Sequence, residues 1–164
     1  MLNFVCDNFR VLTTSSMASH ELEAMMDSEI EALHHESLVP SHAISRLADG
    51  MPALGIVAAV LGVILTMGKI AEPPAVLGHS IGSALVGTFL GVLMSYGFFA
   101  PLAAFLEHKV GNQTILLQVV KVALITFFGG GNVPQTAVEF ARRVIPEAEK
   151  PTFVEIEAAV KVKK

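Results

Sequence analysis

Charged residues are nearly absent from the middle of this chain. Between Met51 and Leu106 the only ones are Lys69 and Glu72, which leaves two uncharged runs over residues 51–68 and 73–106. A helix needs roughly 20 mostly apolar residues to cross the hydrocarbon core of a bilayer, whereas runs of about 10 to 14 are more typical of buried helices in soluble proteins. The two runs therefore predict a pair of membrane-spanning helices joined by a short polar turn.

Several patterns that carry chemistry are also missing. Cys6 is the single cysteine, which excludes an intrachain disulfide and a cysteine-based zinc site. His34 and His35 are adjacent and point about 100° apart on a helix, so they do not form an i, i+4 metal pair. The glycines at 129–131 lack the Lys-Ser/Thr that follows in a phosphate-binding loop. We therefore predict no enzymatic activity, no metal site and no cofactor.

Acidic side chains are absent from the two uncharged runs as well. Besides Lys69 and Glu72, the ionisable residues between 51 and 106 are His79 and Tyr96. Proton relays inside a membrane normally use an Asp or Glu. If the chain conducts protons, the carrier carboxylate must come from a partner, and His79 is more typical of an interfacial position than of a relay.

The composition agrees with a membrane protein. The chain is 52% hydrophobic and 16% charged, with a mean hydropathy of +0.60, whereas soluble domains carry about 25% charged residues. The first 50 residues are too acidic for nucleic-acid binding. Arg46, Lys109 and Lys121 flank one side of the spans and only Lys69 lies in the connecting loop, so the positive-inside rule places both termini in the cytoplasm.

These patterns predict an all-α integral membrane protein with two transmembrane helices and cytoplasmic helical flanks. The predicted segments are an acidic cytoplasmic helical segment at 1–48, a transmembrane helix at 49–69, a periplasmic loop at 70–77, a second transmembrane helix at 78–106 and a cytoplasmic helical tail at 107–164.

The cytoplasmic segments contain recognisable helices. Residues 19–36 predict an amphipathic helix with apolar positions at Leu22, Met25, Met26, Ile30 and Leu33. Its acidic face is either a docking surface for a partner or an ordinary solvent-exposed face.

In the tail, residues 111–128 are apolar, but Lys121 near their middle predicts a cytoplasmic continuation that packs against other helices. The glycines at 129–131 end it. A short helix then opens at 132–134, with Glu139 and Arg143 paired at i, i+4 and an apolar face. That face consists of Ala137, Val138, Ala141 and Val144.

Small residues in the spans predict close helix packing, which in lipid replaces the hydrophobic effect as a source of association. The glycines concerned are Gly55, Gly62, Gly78, Gly82, Gly87 and Gly91. Pro52 is expected in the first turn of its helix, and Pro101 should interrupt and kink the second span. Thr88 and Ser95 lie seven apart, where they either line a hydrated path or bond back to carbonyls of their own helix.

Longer strings of the sequence resemble one family. They are PALGIVAAVLGV at 52–63, GSALVGTFLGVLMSYGFFAPLA at 82–103, VPQTAVEFARR at 133–143, PTFVEIE at 151–157 and the acidic HELEAMMDSEIE at 20–31. Together they resemble the C-terminal portion of MotA-type flagellar motor stator proteins, in the MotA/TolQ/ExbB proton channel family. The resemblance runs through nearly the whole chain.

The resemblance implies a function and partners. Such subunits form a pentameric ring around a MotB dimer in the bacterial inner membrane, and proton passage past an Asp of MotB drives movement against the rotor protein FliG. By position, Pro52 and Pro101 match prolines that couple ion flow to movement. Ala59, Thr88 and Tyr96 match positions that face the MotB helix and the proton path. Glu29 matches a later acidic position of the cytoplasmic segment and is a possible rotor-side charge.

The chain also departs from that family, whose members have four membrane helices and a rotor-contacting cytoplasmic segment before the third. This sequence starts after that region, so we expect a truncated MotA-like stator subunit that needs the other half for full activity. A TolQ/ExbB-like energiser of envelope transport and a non-conducting two-span membrane scaffold, or a non-functional fragment, are the alternatives.

Overall fold

A computed structural model describes residues 2–14, 17–129 and 133–161. Within these residues every regular element is helical, which confirms the predicted all-α class. In chain order the elements are α1 (Leu2–Thr14), α2 (Ser19–Met67), α3 (Pro74–Met94), a π-helical turn (Ser95–Phe99), α4 (Ala100–Gly129), α5 (Pro134–Val144) and α6 (Phe153–Lys161).

Helix α2 is much longer than the sequence patterns predict. It joins the amphipathic segment and the first apolar run into one helix of 49 residues, which continues through Pro40 and Pro52. The expected position of Pro52 in a first helical turn is therefore wrong, because the helix begins at Ser19. Proline removes one backbone donor from the helix. In membrane-type helices, neighbouring groups and local adjustments compensate for that loss.

The predicted interruption near Pro101 is confirmed and takes the form of the π-helical turn at Ser95–Phe99. The amide of Ala100 donates to the carbonyl of Ser95, five residues back. In a regular α-helix the ring of Pro101 would crowd the carbonyl of Gly97. The wider turn ends two residues before the proline and includes Gly97, so it relieves that conflict.

The chain divides into two compact units. The first unit comprises Met1–Ser37 and Lys109–Lys164, and the second comprises Leu38–His108. Two helices, Ser19–Met67 and the combined run Pro74–Gly129, are long and apolar enough to cross a membrane. Helix bounds alone do not define membrane boundaries, so the limits of the two transmembrane segments stay predictions.

The first unit is built around an apolar core. Its buried side chains are Phe4, Leu22, Met26, Ile30 and Leu124. The helical spacing predicted for residues 19–36 is therefore confirmed, and Met25 packs against the core. The exception is Leu33, whose side chain is exposed. Helix α1, which contributes Phe4, lies within the segment 1–48 that was predicted to be helical, but no separate helix was predicted there.

The tail confirms the predicted packing of two segments, whereas their cytoplasmic location stays a prediction. Residues 111–128 continue α4 and supply Leu124 to the first unit's core, and the ammonium of Lys121 lies 2.7 Å from a carboxylate oxygen of Asp27. Helix α5 buries Ala137 and Ala141, as its pattern predicts. Val138 and Val144 are half-buried on it. In the predicted glycine break, residues 130–132 lie outside the described residues.

Candidate functional site: the glycine-packed helix pair

In the second unit, α2 and α3 touch through their backbones. A Cβ atom added to Gly91 would lie 2.7 Å from the carbonyl oxygen of Met51 and 3.0 Å from the Cα of Gly55. One added to Gly55 would lie 2.8 Å from the carbonyl oxygen of Gly87. Because backbone atoms cannot rotate away as side chains do, only glycine fits at this contact. We call this contact, formed by Gly55, Gly87 and Gly91, the glycine contact.

The close approach continues toward the loop that joins the two helices. A Cβ on Gly62 would collide with Ala84, whose Cα would be 2.9 Å away. Nothing lies within 4 Å of a Cβ built on Gly78 or Gly82. Of the six glycines predicted to serve helix packing, the structure therefore places three in the glycine contact and a fourth, Gly62, against Ala84, and it leaves Gly78 and Gly82 facing open space.

Hydroxyl groups add polar links at the same helix pair. The Thr88 hydroxyl donates to the carbonyl oxygen of Gly55 at 3.4 Å, which is long for a hydrogen bond of this type. The bond crosses between helices, so Thr88 does not bond back to its own helix. Ser95, on the same face, is buried with 2% of its surface exposed.

Two further hydroxyls were missed by the sequence reasoning. Ser41 donates to the carbonyl oxygen of Ala103 at 2.9 Å in a buried position. Thr66 is 2% exposed and donates to Gly62 of its own helix at 2.8 Å. Single hydroxyls in apolar helices are common enough that the sequence offered no signal for either role, since the acceptor of Ser41 is 62 residues away.

The residues predicted to face the ion path differ in their environments. Ala59 is half-buried, and its backbone nitrogen would be 3.5 Å from a Cβ on Gly87. Thr88 is half-buried at the glycine contact, whereas Tyr96 projects from the π-helical turn with 70% of its surface exposed. Their part in ion passage stays a prediction.

Both predicted coupling prolines lie beside a local irregularity of the second unit. Pro52 follows Met51, whose carbonyl oxygen would lie 2.7 Å from a Cβ built on Gly91. Pro101 lies two residues after the π-helical turn. Such turns occur frequently at functional sites. The coupling role of the two prolines itself stays a prediction.

The candidate rotor-side charge lies in the first unit. Glu29 is half-buried, and one of its carboxylate oxygens accepts a hydrogen bond from the side-chain amide of Asn8 at 3.2 Å. Asn8 is itself 1% exposed. Glu29 is thus tied to α1 instead of projecting freely. Its partner could not be found from the sequence, because α1 was not recognised as a helix.

The strongest charge cluster of the described residues lies on α5. Two guanidinium nitrogens of Arg142 donate to the two carboxylate oxygens of Glu139, each at 2.8 Å. Arg143 adds the predicted i, i+4 contact at 3.3 Å. The hydrogen bond from Arg142 lowers the pKa of Glu139 to about 2, and the same bond raises the pKa of Arg142. The sequence reasoning named Arg143 and missed the stronger i, i+3 partner.

Three curated proteins are similar to this chain over nearly its whole length. Motility protein A of Escherichia coli (strain K12) is 42% identical over 164 residues, which is 100% of this chain and 55% of that protein. Motility protein A of Salmonella typhimurium is 42% identical over 161 residues, covering 98% and 54%. Chemotaxis protein LafT of Vibrio parahaemolyticus is 34% identical over 157 residues, covering 96% and 55%. The chain thus spans about half the length of these relatives.

Two solved structures share the fold. The C. jejuni MotAB structure matches with a TM-score of 0.80 at 19% identity, over 92% of this chain and 58% of that one. The flagellar MotAB stator complex from Bacillus subtilis matches with a TM-score of 0.77 at 21% identity, over 89% and 56%. At these identities the matches show the all-helical membrane fold alone.

A match to a protein-family model assigns the chain to a family. The model of the MotA/TolQ/ExbB proton channel family matches residues 3–119. Together with the two long apolar helices, that match supports a membrane location. Because the matched residues are more than half of the chain, the chain belongs to the MotA/TolQ/ExbB proton channel family.

Proposed function

We propose that this chain supplies the ion-path helices of a MotA-like stator subunit of the bacterial flagellar motor. With a MotB-type partner it forms a proton channel that couples ion flow to torque on the rotor. In this proposal the segments 49–69 and 78–106 span the inner membrane, the loop 70–77 is periplasmic and both termini are cytoplasmic. The chain has no enzymatic reaction of its own.

The observation that carries the proposal is the glycine contact combined with the π-helical turn. A backbone-to-backbone contact holds one end of the helix pair, whereas an i, i+5 turn replaces the α-helical ladder just before Pro101. Local changes of helix type are typical of positions where a helix changes shape in function. Pro52 beside the contact and Pro101 beside the turn then act as the coupling prolines.

The ion carrier comes from outside the chain. The described residues 51–106 include no Asp or Glu except Glu72, which lies between α2 and α3. An intramembrane carboxylate is the usual proton carrier, so we assign it to an Asp of the MotB-type partner. Ala59, Thr88 and Tyr96 face that partner's helix in this proposal.

The exposed surfaces of α2 and α3 support assembly with further helices. We assign the chain to a pentameric ring around the partner, where Gly78 and Gly82 are open to a neighbouring helix. Most of the large apolar side chains of the helix pair are exposed, including Leu54 and Leu65, and they contact lipid or other helices. On the cytoplasmic side, Glu29 and the adjoining acidic face engage the rotor protein FliG.

Other functions in the family make different predictions. A TolQ/ExbB-like energiser would use a partner with an envelope domain, and the family description includes that class. The relatives named Motility protein A favour the motor. A non-conducting scaffold or a non-functional fragment would be indifferent to changes at Thr88 and Pro101.

The decisive experiment is a swimming-ring assay in a strain that lacks MotA and retains MotB. The chain is expressed alone and together with a MotA N-terminal half, with its amount measured by immunoblot. We expect rescue only in the second case. Rescue by the chain alone would show that the added half is dispensable. Failure of both with the protein present would contradict the motor proposal.

Single substitutions then test the coupling residues in the strain that swims. Pro101→Ala should restore the missing backbone donor, favour a regular α-helix over the π-helical turn and abolish swimming. Pro40→Ala is the matched control, since Pro40 is also inside a helix and is exposed. Equal swimming of the two variants would assign Pro101 no role in coupling.

A further inference from the structure

Two hydroxyl bridges in the second unit join α2 to the helical run formed by α3, the π-helical turn and α4. The Thr88 hydroxyl donates to the carbonyl oxygen of Gly55 before the turn. The Ser41 hydroxyl donates to the carbonyl oxygen of Ala103 after the turn, at 2.9 Å. In each helical run the donor precedes the acceptor along the chain, so the lengths of chain between the two bridges can be compared directly.

Those lengths differ by one residue. Gly55 lies fourteen residues after Ser41, whereas Ala103 lies fifteen residues after Thr88. In two regular α-helices the extra residue would displace Ala103 by about 1.5 Å along its axis and turn it by about 100°. Such a displacement would break the hydrogen bond from Ser41, whose length allows little change. One run must therefore hold one more residue than the other over the same distance.

The π-helical turn holds the extra residue. The amide of Ala100 donates to the carbonyl of Ser95, five residues back, where a regular α-helix would bond four residues back. Each ring of this kind contains one residue more than an α-helical ring. Opposite the turn, α2 runs as an uninterrupted α-helix from Ser41 to Gly55. The turn and the bond between Ser41 and Ala103 therefore depend on the same register of the two helices.

The Ser41 bridge is the stronger of the two. Ser41 is 2% exposed, and its bond to Ala103 is buried and of ordinary length. The Thr88 bond is longer, at 3.4 Å, and only partly buried. Hydrogen bonds are stronger in a surrounding of low dielectric constant. Loss of the Ser41 hydroxyl should thus release the run beyond the turn more than loss of the Thr88 hydroxyl would.

We propose that Ser41 is a positioning residue for Pro101. Its bond to Ala103 fixes the register of the helix that contains Pro101 and thereby keeps the extra residue in the turn at Ser95–Phe99. Conversion of this turn to a regular α-helix requires the bond to break. The link from this register to ion-driven movement rests on the proposed function, in which Pro101 is a coupling proline.

Hydrogen exchange of the full chain in detergent micelles tests the register without MotB or ion flow. We expect Ser41→Ala to raise exchange at residues 95–100 about fivefold, the ratio that corresponds to about 1 kcal/mol for one lost hydrogen bond. Ser45→Ala is the matched control, because Ser45 lies one turn further along α2 and is exposed. Circular dichroism verifies that both variants keep their helix content. Unchanged exchange at residues 95–100 in Ser41→Ala would overturn the proposal.

Two single-residue deletions test the residue count itself. Without Gly97 both runs would have fourteen residues between the bridges, so the Ser41 bond should survive while the turn becomes α-helical. Without Gly50 the numbers would be thirteen and fifteen, so the bond should be lost. No neighbour lies within 4 Å of a Cβ built on Gly50, so this deletion removes little packing.

The carbonyl carbon-13 signal of Ala103 reports the bond in each deletion variant. It should match the unchanged chain when Gly97 is deleted and match Ser41→Ala when Gly50 is deleted. The same signal in both deletion variants, or the opposite assignment, would overturn the proposal.

Swimming rings separate this proposal from the proposed function. In the strain that also expresses a MotA N-terminal half, Ser41→Ala should shrink the ring and Ser45→Ala should leave it unchanged. A normal ring of Ser41→Ala together with faster exchange at residues 95–100 would support the positioning role of Ser41 and would count against the coupling role of Pro101. A smaller ring with unchanged exchange would overturn the positioning role.

Discussion

The helices inside each of the two units pack by opposite means. In the first unit, large side chains such as Leu22 and Met26 are fully covered and α2 packs through them. In the second unit, helices approach so closely at Gly55 and Gly91 that backbone meets backbone. Several large side chains of that helix pair point outward, among them Leu54 and Phe89.

We attribute the difference to the solvents that the proposed topology gives the two units, water for the first and lipid for the second. Water drives apolar side chains together, so the first unit gains about 25 cal/mol for each Å² of apolar surface it buries. Lipid is as apolar as leucine and gives no such gain, so the second unit depends on dispersion at close range and on hydrogen bonds between helices. The same helix, α2, contributes to both kinds of packing.

The largest loss of stability should come from a substitution in the apolar core of the first unit. Met26 is 0% exposed, and we expect Met26→Ala to destabilise this unit by about 2 to 5 kcal/mol through lost burial and a residual cavity. Hydrogen exchange should rise in residues 19–37 and remain unchanged in residues 51–67. Met17→Ala is the control, because Met17 is 39% exposed. Equal acceleration in both segments would mean that the two units do not differ as described.

The reverse pattern should follow from Gly91→Ala. The added Cβ would lie 2.7 Å from the carbonyl oxygen of Met51, and overpacking of this kind costs about 1 to 3 kcal/mol. Exchange should rise in residues 51–67 instead. Gly82→Ala is the control, since its Cβ meets nothing within 4 Å and alanine favours a helix by about 1 kcal/mol over glycine. A neutral Gly91→Ala would remove the argument for a backbone contact.

The sequence was most informative where one pattern determined one outcome. Helical spacing of Leu22, Met26 and Ile30 predicted which face of α2 is buried, and the break near Pro101 followed from proline's missing donor. Glycine spacing predicted close packing, yet it could not separate Gly87 and Gly91 from Gly78 and Gly82. The two glycine pairs lie on different faces of α3, since Gly82 is five residues and thus about 140° around the helix from Gly87. Spacing within one helix does not encode which of these faces meets α2.

What the sequence could not provide were pairings between distant residues. Asn8 with Glu29 and Ser41 with Ala103 are 21 and 62 residues apart, and neither pair leaves a periodic trace. Helix α1 was missed because its short apolar pattern is interrupted by charges at Asp7 and Arg10. The uninterrupted course of α2 was missed because proline inside a helix is normally disfavoured.

A smaller effect on the free energy of unfolding should come from the ion pair between Lys121 and Asp27 in the first unit. Lys121 is 13% exposed at its side chain and reaches Asp27 at 2.7 Å and Glu23 at 3.8 Å, each about half exposed. We expect Lys121→Gln to cost about 1 kcal/mol or less, because the two carboxylates can return to water. The cost should shrink at high salt.

Lys150→Gln is the control for Lys121, since the Lys150 pair with Glu147 joins neighbours in one turn. Urea unfolding followed by circular dichroism measures both variants at low and high salt. A loss at Lys121 that salt does not reduce would show that the side chain acts through packing of its methylene groups instead of its charge.

The smallest effect on stability should come from protonation of the charge cluster on α5. The hydrogen bond from Arg142, reinforced by Arg143, lowers the pKa of Glu139 from 4.5 to about 2. A carboxylate with a lowered folded-state pKa stabilises the fold fully above its unfolded value, and that contribution fades as pH falls toward the folded value. We therefore expect the exchange protection of α5 to be constant from neutral pH to about 4.5 and to decline between about 4.5 and 2.

Glu139→Gln should remove this particular decline and lower the protection of α5 at neutral pH, whereas Glu149→Gln, at an exposed position, should leave the acid profile intact. Direct titration of the Glu139 carboxyl by carbon-13 NMR measures its pKa independently of hydrogen exchange. A midpoint near 4.5 would mean that Arg142 turns to solvent, and α5 would then rely on the burial of Ala137 and Ala141 alone. Apolar contact would in that case hold this helix, as it holds the rest of the first unit.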